Sequence, residues 1–233
     1  SSRSFREHIE SLDGNSDKIM YFPQSAENIY QVITKNEMPS VLSLIPNGFW
    51  VMFAGNIGAA QDFGTIIHAA EKLKDYHDIH WIIVGDGRMK EWAENKVHAL
   101  DLNSNFHFVG RHPIESMPVF FYHATVMLVT LKKEPIFALT LPSKIQSYMA
   151  CGKPIIAALD GEGAKTIDDA KAGLSCHAES PDELAQTVIK MYNITKSERE
   201  KMGMNGRKYY EENFARDMLI EKLDTWIKEM VLN

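Results

Sequence analysis

Trp81-Ile82-Ile83-Val84-Gly85-Asp86-Gly87 is a run of four apolar residues that ends in a glycine-rich turn. Its apolar side chains would lie on both faces of an extended chain, which is typical of a parallel strand covered by helices on both sides. Similar runs alternate with segments of helical periodicity about six times along the chain. This alternation predicts an α/β fold, a doubly wound parallel sheet with right-handed crossovers. The predicted strands are residues 50–54, 79–84, 106–109, 126–131, 154–158 and 174–176.

Polar residues, proline and glycine mark the expected ends of the helices. We expect Asp62 to cap a helix that follows the first strand, and Ser143 to cap a short helix that Gly152 ends. A helix between these two is expected to bury Trp92 and its neighbours on the same face. Another helix is expected to begin at Ser180, because a proline and two acidic residues follow it and suit a first turn.

The beginning of the chain differs from this alternating pattern. Residues 1–45 predict a helix around 5–12, a turn at 13–14 and a strand at 18–22, followed by an irregular polar stretch. We interpret them as the tail of another domain plus a linker. Residues 46–213 then form the principal domain.

The last segment, residues 214–233, predicts one amphipathic helix. A helix that lies on a membrane surface normally carries a basic polar face, whereas the charges of this segment are mixed. Docking on protein is therefore the better interpretation. The apolar side is expected to carry Met218, Leu223, Trp226, Ile227 and Met230.

Composition and charge exclude several classes of protein. The net charge of −6 argues against a primary nucleic-acid function, because phosphate backbones are bound by basic surfaces. No apolar run approaches the roughly 20 residues that span a bilayer, and the start resembles no signal peptide. Two cysteines and nine scattered histidines provide neither a disulfide framework nor a metal cluster. We expect a cytoplasmic protein, at most peripheral at the inner face of the membrane, with no transmembrane segment.

Glycine-rich segments follow the predicted strands, where ligands bind in an open doubly wound sheet. Glycine allows the backbone to approach phosphates closely, and helix N-termini offer free N–H groups. A single glycine more often only turns the chain, but the whole rim favours a phosphate-bearing ligand. The segments are Gly55-Asn56-Ile57-Gly58, Gly85-Asp86-Gly87-Arg88, Gly110-Arg111-His112-Pro113, Lys132-Lys133-Glu134-Pro135 and Asp160-Gly161-Glu162-Gly163.

Three common motifs are missing from this rim. A dinucleotide-binding loop would read Gly-x-Gly-x-x-Gly, but Lys90 stands where the third glycine of the Gly85 loop belongs. A phosphate-binding Walker loop and a Gly-x-Ser-x-Gly serine motif do not occur either. The ligand is therefore expected to be neither a dinucleotide cofactor nor a triphosphate in a Walker loop.

Residues 141–157 read Leu-Pro-Ser-Lys-Ile-Gln-Ser-Tyr-Met-Ala-Cys-Gly-Lys-Pro-Ile-Ile-Ala. From Ser147 to Pro154 the segment resembles Glu-Ala-Met-Ala-Cys-Gly-x-Pro-Val, the donor-site helix of the retaining glycosyltransferases of family 4. The segments around Gly55, Gly85 and Gly110 are also similar to that family, in the same order. The resemblance covers roughly residues 41–233 and implies the C-terminal donor-binding domain of the GT-B fold. That domain is Rossmann-like and is followed by a C-terminal crossover helix.

The resemblance also implies a function. It suggests a hexosyltransferase type of glycosyltransferase that takes a sugar from a nucleoside diphosphate, with UDP-sugar expected as donor. The acceptor would be a lipid-linked compound or a glycan of surface polysaccharide such as O-antigen, held by the missing N-terminal domain, so that this fragment alone is inactive. With no Asp-x-Asp motif, no cofactor and no metal are expected. Open alternatives are a nucleotide-sugar epimerase, a phosphorylase of the same fold, or a non-catalytic nucleotide-binding module.

The sequence departs from the family at several donor-binding positions. A glutamate of the family that binds the donor ribose is replaced by Ser147. The other glutamate of that pair, which contacts the donor sugar, has no equivalent at the usual spacing; Glu134 is a candidate only with about five inserted residues. The basic residues expected near the first glycine loop are replaced by Asn56, Gln61 and Asp62.

Two cations remain as candidate phosphate ligands. Lys144 is expected in the first turn of its helix, where the helix dipole disfavours a cation unless an anion binds there; the alternative is a solvated surface lysine. Arg111 follows a strand end, where its guanidinium could reach a phosphate or stack on a base; the alternative is a surface loop arginine. No catalytic residue is assigned. The predicted donor-binding residues are Gly55, Asn56, Gly58, Gly85, Asp86, Arg111, Glu134, Ser143, Lys144 and Ser147.

Overall fold

A computed structural model describes residues 2–12, 15–34 and 37–232 of the 233-residue chain. Its six strands form one parallel sheet in the order β3-β2-β1-β4-β5-β6. The strands are β1 (Phe49–Ala54), β2 (Ile79–Val84), β3 (Phe106–Gly110), β4 (Val126–Thr130), β5 (Ile155–Ala158) and β6 (Gly173–Cys176). The helices are α1 (Phe5–Ser11), α2 (Phe63–Lys72), α3 (Lys90–Ala99), α4 (Met117–His123), α5 (Pro135–Ala138), α6 (Ser143–Ala150), α7 (Glu162–Ala170), α8 (Pro181–Asn193), α9 (Lys196–Asn213) and α10 (Arg216–Leu232).

The predicted doubly wound α/β sheet is confirmed, and each of the six predicted strands is present. Every residue of β1, β2, β4 and β5 is buried, which explains why these strands are apolar on both faces. Strand order reverses between β1 and β4, so the crevice beyond their carboxyl ends is the usual ligand position of this architecture.

Two apolar cores lie on opposite faces of the sheet. Because side chains alternate along a strand, Trp50 and Met52 of β1 face one core while Val51 and Phe53 face the other. The first core is completed by α4, α6, α7 and α9, and the second by α2, α3 and α8.

All four predicted helix ends lie within one residue of the observed ones, but at two of them the predicted side-chain cap is absent. Ser180 accepts a hydrogen bond from the backbone N–H of Glu183, and Gly152 follows α6 with φ +64°, as expected. Asp62 stands at the N-cap of α2 in a left-handed conformation with φ +45°, and its side chain forms no cap hydrogen bond. Ser143 is the first residue of α6 itself and forms no cap hydrogen bond.

The expectation that Trp92 is buried is wrong. Its side chain is 43% exposed, while Ala93 and Val97 are buried. Since α3 packs beside α2 near the edge strand β3, it presents only a narrow face to the core. The sequence periodicity therefore predicted a wider buried face than α3 has.

In the N-terminal segment, α1 lies where a helix was predicted, and the predicted turn at 13–14 falls outside the described residues. The predicted strand at 18–22 is wrong: Ser16–Lys18 is a short 3-10 helix, and the residues after it are extended without pairing to another strand. Their apolar side chains alternate as in a strand, but no neighbouring strand supplies the ladder hydrogen bonds. That this segment is the tail of another domain remains a prediction.

The final helix, α10, exposes most of the side predicted to be apolar. Leu223, Ile227 and Met230 are 40%, 48% and 68% exposed, and Leu219 is its buried anchor at 3%. The ring of Trp226 contacts Phe22 with centroids 6.2 Å apart. Across the described residues, no helix is long and apolar enough to cross a membrane.

Candidate nucleotide-sugar donor site

The loops after β1 and β2 approach each other so closely that only glycine fits between them. Gly55 has φ +137° and Gly85 φ +145°, a region that side chains strongly disfavour. A Cβ atom at Gly85 would lie 1.9 Å from the carbonyl oxygen of Gly55. The backbone is therefore bare at the switch point of the sheet, where a ligand can approach it closely.

Two adjoining cavities open at this point and share Gly55 and Met117. The first, which we call the glycine-loop cavity, has about 570 Å³ and is lined by Asn56, Gly85, Asp86, Gly87, Arg111 and His112. The second, which we call the Lys144 cavity, has about 270 Å³ and is lined by Glu27, Tyr30, Phe121, Ser143, Lys144 and Ser147. Because they share these two residues at the carboxyl ends of the central strands, we refer to the two cavities together as the groove.

The structure brings eight of the ten predicted residues to this groove and leaves two outside it. Gly58 lines neither cavity. It packs against the Asn56 side chain, since a Cβ atom at Gly58 would be 2.5 Å from Asn56 Nδ2. Glu134 is exposed and lines a separate cavity of about 440 Å³ at the end of β4, together with Lys132 and Lys133. Which of the ten residues contact a donor remains a prediction.

Lys144 occupies the first turn of α6, as expected, and its side chain is half-buried. The ammonium nitrogen lies 3.6 Å from the centroid of the Phe53 ring. It also covers Gly55, since a Cβ atom there would be 2.9 Å from Lys144 Nζ. The side chain therefore packs on Phe53 and Gly55 instead of extending freely into solvent, and its contact with a phosphate stays a prediction.

The charge of Lys144 has no partner among the residues that the structure describes. Neither an ion pair nor a hydrogen bond reaches its ammonium group within those residues. Burial lowers the pKa of Lys144 from 10.5 to about 7, because removal from water penalises the charged form. An uncompensated, desolvated cation next to bare backbone is a favourable position for an anion.

Tyr148 fixes α6 to the end of β1 and was not singled out from the sequence. Its hydroxyl donates to the Ala54 carbonyl oxygen and accepts from the Ala54 N–H, both at 3.2 Å. Burial raises the pKa of this hydroxyl, so it stays protonated. These two hydrogen bonds fix α6 and thereby hold Lys144, one turn earlier in the helix, above Gly55.

Glu27 and Tyr30 also escaped the sequence analysis. Both come from the irregular segment before the principal domain, yet they line the Lys144 cavity. The Tyr30 ring stacks on Phe121 with centroids 5.7 Å apart. Burial raises the pKa of Tyr30, the nearby Glu27 carboxylate raises it further, and the Ser147 hydroxyl lowers it. No local pattern indicated these contacts, because they depend on how a distant segment folds onto α6.

The other end of the groove carries an exposed cation and a locally bonded carboxylate. Arg111 is exposed, and Asp86 accepts a hydrogen bond from the Gly87 N–H at 2.7 Å. His112 Nε2 lies within hydrogen-bond distance of the Val109 carbonyl oxygen, at 2.9 Å. Within the described residues, no three His, Cys, Asp or Glu side chains gather in a group that could hold a metal. The expectation that no metal is required stays a prediction.

Comparison with known proteins agrees with this architecture. The chain is 28% identical over 182 residues to a probable glycosyltransferase, WbjE, of Pseudomonas aeruginosa, covering 77% of this chain and 44% of that protein. A glycosyltransferase from Rickettsia africae superposes with a TM-score of 0.81 at 16% identity, over 100% of this chain and 62% of that one. Anabaena HepE, solved in complex with UDP, superposes with a TM-score of 0.79 at 16% identity. The superposition covers 98% of this chain and 62% of that one.

The chain spans about half the length of the curated relatives it matches, 44% and 55% for two of them. The family model described as glycosyl transferases group 1 matches residues 7–209, which is most of the chain. The parallel sheet and its flanking helices are those of the GT-B glycosyltransferases among the structural neighbours. The chain belongs to the glycosyl transferases group 1 family.

Proposed function

We propose that this chain is the donor-binding part of a retaining glycosyltransferase and holds the diphosphate of a UDP-sugar at Lys144. The acceptor, a lipid-linked compound or a growing surface glycan, would be held by a further domain. The donor-binding part would stabilise the negative charge that develops on the leaving diphosphate. The enzyme would work at the cytoplasmic side of the membrane and need neither cofactor nor metal.

The observation that carries this proposal is the uncompensated ammonium group of Lys144. It lies over Gly55 at the start of α6, where the backbone N–H groups of Ser143 and Lys144 have no hydrogen-bond acceptor among the described residues. A diphosphate at this point would receive charge-assisted hydrogen bonds from Lys144 and backbone bonds from the helix N-terminus. Its negative charge would also offset the cost of burying the cation.

The structural relatives support the choice of nucleotide. Anabaena HepE has been solved with UDP and with UDP-glucose, and it shares the fold of this chain at low sequence identity. A UDP-sugar is therefore our first choice of donor. The rim also offers Arg111 and Asp86 in the adjoining cavity, where the remainder of a nucleotide sugar would fit.

Thermal unfolding with a panel of ligands tests the proposal. UDP at about 100 times its dissociation constant stabilises by roughly 2.7 kcal/mol, which raises the Tm by about 5–10 °C for a chain of this size. Uridine at the same concentration is the matched control, because it lacks the diphosphate and should give a much smaller shift. The absence of a shift with every nucleotide and nucleotide sugar at millimolar concentration would refute the proposal.

Incubation of a UDP-sugar with the complete enzyme separates transfer from the other activities of this fold. A transferase releases UDP when an acceptor glycan is present, whereas an epimerase converts the donor without any acceptor. Chromatography of the nucleotide sugars distinguishes these products. Formation of an epimer in the absence of acceptor would contradict our assignment.

A further inference from the structure

A cavity of about 630 Å³ lies at the amino edge of the sheet, opposite the groove. It opens beside Thr125 and Pro154, the residues that precede β4 and β5, and we call it the amino-edge cavity. Its other walls come from residues 31–33, from α4 and from the start of α9. Because all strands are parallel, the length of a strand separates this cavity from the groove, about 16 Å for the five residues of β4.

The amino-edge cavity is cationic, although the net charge of the chain is −6. Among the described residues, three cations and one carboxylate line it, namely Lys153, Lys196, Arg199 and Glu200. Glu200 lies 3.8 Å from Lys196 at the exposed rim, where an ion pair contributes little. Neither Lys153 nor Arg199 forms an ion pair within the described part of the chain. Three positive charges against one negative charge leave a local excess of two.

The half-buried ammonium group of Lys153 has a single acceptor among the described residues. Its Nζ donates to the Tyr122 carbonyl oxygen at 3.2 Å, at the C-terminal end of α4. An ammonium group has three donors, so two of them are unused there. Burial lowers the pKa of Lys153 from 10.5 to about 8, while Cys151 and Glu200 raise it. An anion in the cavity would replace part of the hydration that this ammonium group loses on folding.

Arg199 and Thr125 add further donors to the same cavity. Arg199 Nη1 donates to carbonyl oxygens at the C-terminal end of α8, including that of Met191 at 3.2 Å, whereas its Nε and Nη2 have no acceptor within the described residues. The Thr125 hydroxyl accepts a hydrogen bond from the Trp50 N–H at 3.0 Å, which leaves its own hydrogen available. A guanidinium presents its donors as a planar fork that matches the oxygens of a phosphate group.

The remaining wall of the amino-edge cavity is apolar. Its members are Val32, Ile33, Pro118, Ala124, Pro154 and Met204. Binding sites of this size combine an apolar lining with a few polar groups that fix the orientation of the ligand. An inorganic anion would use the cationic part alone, so the cavity fits a phosphate group that is attached to a carbon skeleton.

We propose that the amino-edge cavity is a second ligand site, which binds the phosphate group of a phosphomonoester through Lys153, Arg199 and Lys196. The inference does not rest on the proposed function, because this cavity shares no lining residue with the groove that contains Lys144. The phosphomonoester is either a soluble metabolite, such as a sugar phosphate, or the headgroup of an anionic lipid.

Titration calorimetry with glucose 6-phosphate tests the site. The protein carries Lys144→Met in every sample, so that the cation of the groove does not compete for the anion. Adding Lys153→Met should weaken binding about tenfold to a hundredfold, because a charged donor is lost. Lys196→Gln, at a side chain that is 85% exposed, leaves the core untouched and should weaken binding about twofold to fivefold. Lys208→Met, an exposed position on the same helix, is the control and should change nothing.

Two further ligands identify the group that is bound. Glucose lacks the phosphate and should not bind. Vesicles that contain phosphatidic acid separate the two sources: if they bind in a Lys153-dependent manner and glucose 6-phosphate does not, the phosphate belongs to a lipid. Absence of binding to both probes, or equal affinities in Lys153→Met, Lys196→Gln and their parent, would overturn the inference and leave the proposed function intact. Loss of UDP binding alone would refute only the proposed function.

Discussion

Replacing Lys144 by methionine keeps most of the volume of the side chain and removes its charge. In the parent chain, the folded state lowers the pKa of Lys144 from 10.5 to about 7. Such a shift corresponds to about 5 kcal/mol at the free-energy equivalent of one pKa unit. The ammonium over the Phe53 ring recovers about 2 kcal/mol of that cost. We therefore expect Lys144→Met to stabilise the unliganded chain by about 3 kcal/mol at pH 6.

The sign of the pH dependence follows from the lowered pKa. Below pH 7 both the folded and the unfolded chain carry the charge, so the folded state bears the full cost of burying it. Between pH 7 and 10.5 the folded chain releases the proton while the unfolded chain keeps it, so stability rises with pH. The advantage of Lys144→Met should therefore be largest below pH 7 and shrink above it. Urea unfolding at pH 6 and pH 9 measures this difference.

Saturating UDP should offset much of the stability advantage of Lys144→Met over the parent chain. The diphosphate stabilises the ammonium form, so Lys144→Met should bind UDP about tenfold to a hundredfold more weakly than the parent at pH 7. Uridine should bind both proteins alike. At pH 8 the parent should take up close to one proton with UDP, which calorimetry in two buffers of different ionisation enthalpy detects. The variant should take up none.

Lys208→Met is the matched control, because it removes an exposed lysine whose side chain is 76% accessible. It should change neither UDP affinity nor proton uptake. Equal UDP affinity in Lys144→Met and the parent, or an equal loss for UDP and uridine, would refute the assignment of Lys144 to the diphosphate.

Three further predictions concern the metal, the glycine loops and the last helix. The complete enzyme should keep its activity in EDTA; loss in chelator and recovery with manganese or magnesium would show that a metal holds the leaving group. Gly85→Ala should cost more than about 3 kcal/mol in urea unfolding, because a Cβ atom there meets Gly55, whereas Gly110→Ala should cost about 1 kcal/mol, because its added Cβ meets nothing within 4 Å. Ile227→Lys should change the unfolding free energy by less than about 0.5 kcal/mol, since this side chain is 48% exposed, whereas truncation of Leu219 to alanine should cost about 2–4 kcal/mol. Equal effects within either pair would contradict the packing described.

The strands were predictable because a short run that is apolar on both faces is typical of a parallel strand covered by helices on both sides. The runs that became β2 and β4 are buried at every residue, as their composition required. Helix ends were less predictable. Asp62 and Ser143 are common capping residues, but whether such a side chain caps a helix depends on its backbone conformation and its exact position at the helix start. The strand at 18–22 failed because pairing depends on a neighbour that the local sequence does not specify.

Part of the candidate site, namely eight of the residues that line the groove, could also be predicted from the sequence. The glycine loops and Lys144 follow strand ends or begin a helix, so topology alone brings them to one edge of the sheet. Glu27 and Tyr30 depend on contacts between segments far apart in the chain, and Tyr148 depends on a bond from α6 to the backbone of β1. Neither periodicity nor motif spacing encodes such contacts.

The position of Lys144 in the first turn of α6 has a net electrostatic cost. A lysine in the first turn of a helix meets the positive end of the helix dipole, where an acidic or neutral residue would be more stable. Its stem covers Gly55, and its charge is removed from water without a partner among the described residues. Packing over Phe53 recovers only part of this cost. The helix-dipole contribution and the burial of the charge both become favourable when a dianion lies between the ammonium group and the first N–H groups of α6. These energetics favour a ligand whose negative charge is concentrated at one point, as it is in a diphosphate.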